Sequence, residues 1–83
     1  MITLVQKDSF QGTSDISKTY EVDEKIREVD LFNDGTVDIT LVIRGQTMVI
    51  KPSEKYEGSF NRFTSLSLTV TEGNYRVLVR GEE

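Results

Sequence analysis

Apolar and polar residues alternate along most of the second half of this 83-residue chain. Side chains on a β-strand point to opposite faces with a period of two residues. The alternation at residues 36–43, 65–71 and 74–80 therefore predicts strands with one buried and one solvated face. The apolar positions that set the pattern are Val37, Ile39, Leu41, Ile43, Leu66, Leu68, Val70, Tyr75, Val77 and Val79.

The rest of the chain is also typical of short strands, and no segment of ten residues has a helical period. Asn33-Asp34-Gly35 favours positive φ and predicts a tight hairpin, while Arg44-Gly45 predicts a second tight turn. Residues 7–17 are rich in Ser, Thr, Asp and Gly and are expected to form a loop. Further strands are predicted at residues 2–6, 18–22, 26–32, 46–51 and 55–60.

These strands and turns predict an all-β fold, a small antiparallel β-sandwich or barrel of about seven short strands. Because no linker, repeat or low-complexity segment divides the chain, residues 1–83 are predicted to form a single domain. The predicted core contains the apolar residues that share a parity within each run: Leu4, Val29, Leu31, Val37, Ile39, Leu41, Ile43, Met48, Ile50, Leu66, Leu68, Val70, Val77 and Val79.

Charge is distributed unevenly along the chain, whose net charge is −4. Residues 1–42 carry nine acidic and four basic side chains, and residues 43–83 carry five acidic and six basic ones, so the halves are −5 and +1. An acidic chain repels phosphate backbones, which argues against nucleic acid as a partner. The imbalance is interpreted as a solubility feature, with head-to-tail contact between the acidic half of one copy and the basic residues of another as the alternative.

Neither cysteine nor histidine occurs in the sequence. Their absence removes the thiolate nucleophile, the commonest general base and the commonest transition-metal ligands. One calcium-like segment starts at Asp30, but it places Phe32 and Leu41 where an EF-hand needs oxygen ligands. We therefore expect no catalytic residues, no metal site and no cofactor, and we predict that the protein is not an enzyme.

No segment has the pattern of a signal peptide or a membrane span. The apolar run that begins at Ile2 stops at Gln6-Lys7-Asp8. No stretch approaches the about 20 apolar residues that a spanning helix needs. We expect no signal peptide and no membrane partner.

Four valine and leucine residues are candidates for an interface. Val5, Val42, Val49 and Leu78 have the parity opposite to the predicted core, on the side where a lone sandwich is expected to be polar. We predict that another copy or another protein covers them, although scattered apolar exposure is normal. The alternative is that the sheets curl enough to bury both faces within one monomer.

Aromatic residues provide a second set of candidates. Phe10 stands alone among polar residues and is predicted to be an exposed apolar anchor at an interface, with a tucked loop residue as the alternative. Tyr20, Tyr56 and Tyr75 share the parity of inward aliphatic neighbours. They are expected to pack in the core rather than to form a platform for stacking glycans.

The order of strands and turns from Leu31 to Gly81 is distinctive. Leu31-Phe32-Asn33-Asp34-Gly35-Thr36 leads into an alternating strand, and Ile43-Arg44-Gly45-Gln46 turns the chain. The segment 49–60 (VIKPSEKYEGSF) then leads to Phe63-Thr64-Ser65, and residues 75–81 (YRVLVRG) close the pattern. This resembles small β-modules in structural proteins of phages and prophages of Gram-positive bacteria, where similar segments occur in head, tail and fibre components.

The resemblance implies a non-enzymatic structural or assembly module of a phage or prophage virion. Its partners would be other virion proteins or itself, as a homo-oligomer, and its location the virion after synthesis in the bacterial cytoplasm. Two other functions stay open because β-sandwiches serve several purposes. One is a carbohydrate-binding module that recognises a glycan on the host surface. The other is a small regulatory protein that binds a partner by edge-strand pairing.

Overall fold

The computed structural model describes residues 2–83 and has eight antiparallel strands in two four-stranded sheets. The predicted all-β antiparallel sandwich is confirmed, with eight strands rather than about seven and with two separate sheets rather than a barrel. One turn of 3-10 helix (Val22–Glu24) precedes the third strand, and no helix in this part of the chain has the length and apolarity of a membrane span. The strands are β1 (Leu4–Gly12), β2 (Ile16–Thr19), β3 (Ile26–Asn33), β4 (Ile39–Ile43), β5 (Gln46–Ile50), β6 (Lys55–Ser59), β7 (Ser65–Thr69) and β8 (Tyr75–Glu82).

The chain is wound as one long two-stranded ribbon. Strand β4 pairs with β5 through a tight turn in which Arg44 and Gly45 have φ of 52° and 76°. Further along the ribbon β3 pairs with β6, β2 with β7 and β1 with β8. Wrapping the ribbon gives two sheets with the orders β1-β8-β3-β6 and β2-β7-β4-β5. This is the jelly-roll arrangement, in which consecutive strands change sheets everywhere except at the β4–β5 hairpin.

The core lies between the two sheets. Eleven of the fourteen predicted core residues are buried, whereas Leu4, Val37 and Met48 are half-buried. The predicted core omitted two buried apolar residues, Ile26 and Phe63, whereas Tyr75 is buried as expected of the tyrosines. Phe63 lies outside every strand, so period-two alternation does not detect it. Its N–H donates to the carbonyl of Ile26, and its ring meets that of Phe60 edge-on at 5.7 Å.

The predicted loop at residues 7–17 is wrong, because β1 continues to Gly12 and β2 begins at Ile16. Polar residues form this part of β1 because it is an edge strand. A register shift between Gln6 and Asp8 marks a β-bulge, which inserts one extra residue and exchanges the two faces. Val5 consequently lies opposite the buried Gly81, whereas Leu4 lies opposite Glu82 on the outer side. The predicted inward position of Leu4 is therefore wrong as well.

The predicted hairpin at Asn33-Asp34-Gly35 is also wrong, because β3 and β4 belong to different sheets. The segment does turn the chain, and the Asn33 side chain holds it in place. Its Nδ2 donates to the carbonyls of Val37 and Ile50 at 2.8 and 2.9 Å, and its Oδ1 accepts from the Gly35 N–H at 3.0 Å. The extra residues of this crossover delay the start of β4 from the predicted residue 36 to Ile39.

Candidate interaction surfaces

The interior of the sandwich contains no cluster of reactive side chains. Aliphatic and aromatic residues fill it, and within residues 2–83 every buried side-chain nitrogen and oxygen atom has a hydrogen-bond partner. In the same part of the chain, no group of three acidic, histidine or cysteine side chains is placed to hold a metal ion. The features that can contact other molecules therefore lie on the outer faces and at the ends of the sandwich.

The outer face of the β1-β8-β3-β6 sheet carries an ordered set of ion pairs. Arg80 on β8 donates from Nη1 to the carboxylate of Glu28, and to that of Asp30 at 2.8 Å, both on the neighbouring β3. We call this surface the charged face. Its central outward residues are Glu28, Asp30, Phe32, Lys55, Glu57, Arg76, Leu78 and Arg80.

Asp30 is the most deeply placed charged residue of this face, with 5% of its surface exposed. Burial raises the pKa of Asp30 above its usual value, and the negative charge of Glu28 raises it further. The positive charge of Arg80 acts in the opposite direction without reversing the shift. The ion pair thus partly offsets the desolvation of Asp30, which indicates a structural role for the arginine.

A second group of cations surrounds Phe32. The Lys55 Nζ lies 4.9 Å from the ring centroid, and the Arg76 Cζ lies 4.7 Å from it. Arg76 also forms a bidentate ion pair with Asp34, in which Nε and Nη2 donate to the two carboxylate oxygens at 2.6 and 3.1 Å. These hydrogen bonds lower the pKa of Asp34. The cations on this side of the charged face therefore have partners within the fold.

The uneven charge along the sequence does not produce an acidic and a basic end. Because each of β1–β4 pairs with one of β5–β8, the two halves of the chain are interleaved in both sheets. Lys51 pairs with Asp38, Arg76 with Asp34 and Arg80 with Glu28, so bases of the second half neutralise acids of the first. The protein consequently has no acidic half to place against the basic residues of another copy.

The outer face of the β2-β7-β4-β5 sheet has a different composition. Nine outward positions on its four strands form one continuous surface, and none of them is charged. A chain with 29% charged residues would be expected to place about two or three charges there. We call this surface the hydroxyl face, and its residues are Ser17, Thr19, Thr40, Val42, Thr47, Val49, Ser65, Ser67 and Thr69.

The four predicted interface residues Val5, Val42, Val49 and Leu78 do not form one surface. Val42 and Val49 both belong to the hydroxyl face, where Val49 is 53% exposed and Val42 is half-buried. Leu78 lies on the charged face, opposite Ser9 and Asp30 on its two neighbouring strands. Val5 shares the side of the buried Gly81 because of the bulge in β1. The predicted outward position of Val5 is therefore wrong, whereas an interface role for Val42, Val49 and Leu78 stays a prediction, now divided between two faces.

Phe10 and the tyrosines pack against the core. Phe10 is half-buried on β1 opposite Val77, and the Lys18 Nζ lies 4.9 Å from its ring centroid. The Tyr75 hydroxyl donates to the carbonyl of Ser14 at 2.7 Å, and the Tyr20 hydroxyl donates to Asp8 at 2.8 Å. The expected core packing of the tyrosines is confirmed. The position of Phe10 fits the alternative, in which its side chain packs against the protein rather than projecting into solvent. Phe10 lies on a strand, however, and not in a loop.

A polar cavity of about 470 Å³ opens at the tip of the β4–β5 hairpin. Arg44 there has no ion-pair partner among residues 2–83. Sequence reasoning missed this site because its residues come from two separate segments, 44–46 and 56–61, that only the fold brings together. They are Arg44, Gln46, Tyr56, Ser59, Phe60 and Asn61.

Comparisons with known proteins identify the fold. No family model matches the chain, and no curated protein matches it significantly. A chain of the Bacillus endospore appendages, a family of disulfide-linked pili, has a similar structure, with a TM-score of 0.67 and 18% identity over 99% of this chain and 90% of that one. A cupin-2 domain-containing protein from Shewanella frigidimarina is also similar, with a TM-score of 0.53 and 7% identity over 88% of this chain and 66% of that one. At these identities the likeness is one of fold, and it shows no link to phage proteins.

Proposed function

We propose that this chain is a non-enzymatic structural module that acts by contact with copies of itself in a repeating assembly. The observation that carries the proposal is the hydroxyl face, a continuous uncharged surface on a protein of net charge −4. Exposed sheet faces of soluble proteins normally carry charges that keep copies apart. A face without charge is where two acidic copies can meet without placing like charges together.

Two likenesses support an assembly of this kind. The fold resembles that of a subunit of disulfide-linked pili, and this chain has no cysteine, so its own contacts would be non-covalent. The segment from Leu31 to Gly81 resembles structural modules of phage and prophage virions. We therefore propose a virion component of head, tail or fibre as the setting of the assembly.

The oligomeric state tests this proposal. We expect the mass measured by light scattering after size-exclusion chromatography to rise as the protein concentration increases from micromolar to millimolar, with oligomers or fibres visible by electron microscopy. A monomer at every concentration would contradict self-assembly. Co-purification with another virion protein from a phage lysate tests the proposed setting.

A glycan-binding function is the second candidate, and the cavity at the hairpin tip favours it. Arg44 is a free cation beside amide side chains and two aromatic rings, a combination that suits a sugar with a carboxylate group. NMR titration with uronic-acid and neutral oligosaccharides tests it. We expect shifts at Arg44 and Tyr56 with the acidic sugar, and loss of those shifts in Arg44→Ala. No shift with either sugar class would reject this function.

Edge-strand pairing with a partner remains a third proposal. Strand β5 is at the edge of its sheet and carries no charged side chain, whereas β6 at the edge of the other sheet carries Lys55 and Glu57. Charged side chains on an edge strand discourage pairing, and β5 lacks this protection.

A further inference from the structure

We infer that the hydroxyl face packs against the hydroxyl face of a second copy, sheet on sheet, about a two-fold axis. This inference rests on the proposed structural function and identifies the surface and the partner that the assembly uses. Its basis is the chemistry of the nine residues, their arrangement in rows, and two unpaired charges at opposite ends of the face.

The side chains of the hydroxyl face are complementary to themselves. Seven of the nine residues are serine or threonine, and each hydroxyl both donates and accepts a hydrogen bond. Two identical hydroxyl surfaces can therefore satisfy each other, whereas two identical carboxylate or ammonium surfaces repel. A two-fold contact requires this property, because each residue then meets the same surface on the partner.

The arrangement of the residues suits contact between two sheets. Ser17, Ser67, Val42 and Thr47 are directly paired across all four strands and form a central row. Because these side chains are short, two such faces can pack with their sheets about 10 Å apart, which is the usual spacing of stacked sheets. The methyl groups of valine and threonine supply the apolar contact, and the absence of charge avoids the desolvation penalty of a buried ion.

Two unpaired charges favour one orientation of the second copy. Arg44 lies at the hairpin end of the face, and Glu72 lies beyond the opposite end, after β7. Neither residue has an ion-pair partner among residues 2–83. A two-fold axis perpendicular to the strands brings Arg44 of each copy towards Glu72 of the other. An axis parallel to the strands would bring each charge towards its own kind, so the perpendicular axis is favoured.

The size of the face predicts a weak contact. Four strands about 4.8 Å apart and about five residues long cover roughly 300 Å² per copy. A stable protein interface buries about 800 Å² per partner. The contact is therefore expected to be transient for two free copies and effective where many copies are held side by side, because linkage converts weak contacts into strong ones.

Matched lysine substitutions test which face is used. Ser67→Lys places a charge at the centre of the hydroxyl face, and Ser9→Lys places the same charge on the outer side of β1 in the other sheet. We expect Ser67→Lys to weaken self-association at least tenfold in sedimentation velocity and Ser9→Lys to leave it unchanged. Circular dichroism confirms that both variants fold. If the wild type associates and Ser67→Lys has no effect, the face assignment is overturned while self-assembly stands. If the wild type stays monomeric at every concentration up to millimolar, the face assignment and the proposed self-assembly are both overturned.

Single cysteines provide a second test that does not depend on a charge. Because the chain has no cysteine, each variant carries one thiol. Ser67→Cys lies near the expected two-fold axis, and Ser9→Cys is the control. In a buffer of oxidised and reduced glutathione, oxidised glutathione is reduced as two protein thiols form one disulfide. We expect Ser67→Cys to form dimers at least tenfold faster than Ser9→Cys, and equal rates would overturn the inference.

Charge exchange tests the orientation. Arg44→Glu and Glu72→Arg are each expected to weaken the association about threefold, because each places like charges together at both ends of the contact. The double variant restores the opposite pairing and is expected to recover the wild-type constant. Additive losses in the double variant would overturn the perpendicular axis.

Discussion

Replacement of Asn33 by aspartate is expected to remove a large fraction of the stability of this domain. Asn33 is 2% exposed, and its amide connects the end of β3 to the crossover and to the end of β5. Asn33→Asp keeps the shape of the side chain and its acceptor for the Gly35 N–H. It replaces the two donated hydrogen bonds, to the carbonyls of Val37 and Ile50, with contacts between oxygen atoms.

The magnitude follows from these two bonds. Each carbonyl that loses its donor costs about 1–3 kcal/mol, a figure that includes the lost hydrogen bond, so the two together cost about 2–6 kcal/mol. We expect a loss of about 3–5 kcal/mol at pH 7, because the introduced carboxylate also buries a charge that has no cation beside it. A domain of this length has a free energy of unfolding of about 4–12 kcal/mol. The variant is therefore expected to be marginally folded at 25 °C.

Urea denaturation monitored by circular dichroism measures this loss, with Asn61→Asp as the matched control because Asn61 is exposed. The control is expected to change the free energy of unfolding by less than about 0.5 kcal/mol. Burial without a cation raises the pKa of the introduced carboxyl in the folded state above its unfolded value of about 3.9. The penalty therefore grows as pH rises from about 3.9 through the folded pKa, and it shrinks on acidification. A difference below about 1 kcal/mol at pH 7, or a gap that widens in acid, would refute the bridging role of Asn33.

Three further substitutions probe the core and the charged face. Leu41→Ala, at a residue with 0% exposure, is expected to lower the free energy of unfolding by about 2–5 kcal/mol in guanidinium titrations, and a loss below 1 kcal/mol would contradict its central position. Gly81→Ala places a methyl group 2.7 Å from the carbonyl oxygen of Glu24, so we expect a loss of about 1–3 kcal/mol by the same assay, whereas an unchanged midpoint would mean that the backbone gives way. Asp30 has a raised pKa, so its ionisation lowers the stability of the wild type as pH rises from about 3.8 through the folded pKa. Asp30→Asn is therefore expected to gain stability relative to the wild type between pH 3 and 7 in thermal melts, and the opposite trend would show that the ion pair with Arg80 outweighs burial.

The strands were predictable where one face is buried and the other is wet. The alternation in β4, β7 and β8 has a physical cause, because the sheets bury Leu41, Leu68 and Val77 and leave the intervening residues towards solvent. Only the start of β1 was predicted, at residues 2–6; its continuation to Gly12 was missed because β1 is an edge strand whose bulge at residue 7 breaks the parity between Val5 and Phe10. A local pattern records which residues are apolar, and a bulge changes which side they face.

The sheet that a strand joins was not predictable from its turns. Asn33-Asp34-Gly35 and Arg44-Gly45 are both strong turn signals, yet only the second closes a hairpin. A turn sequence fixes the local dihedral angles, whereas the partner of a strand depends on how the whole ribbon wraps. For the same reason the outward parity of Ser65, Ser67 and Thr69 was readable in the sequence, but their union with Thr40 and Val42 into one uncharged face was not.

The contrast between the two outer faces connects the fold to the proposed function. Each face contains strands from both halves of the chain. The uneven charge along the sequence therefore does not explain why one face is charged and the other is not. The charged face uses cross-strand ion pairs such as Arg80 with Glu28, which hold neighbouring strands together and keep that surface hydrated. The hydroxyl face uses serine, threonine and valine, of which threonine and valine have high β-propensity, and it lacks the charges that keep copies apart. Strand stability alone does not require this division, since ion pairs stabilise one sheet and hydroxyl residues the other. The proposed contact between copies does require one uncharged face, because two copies of that face can pack together without placing like charges against each other.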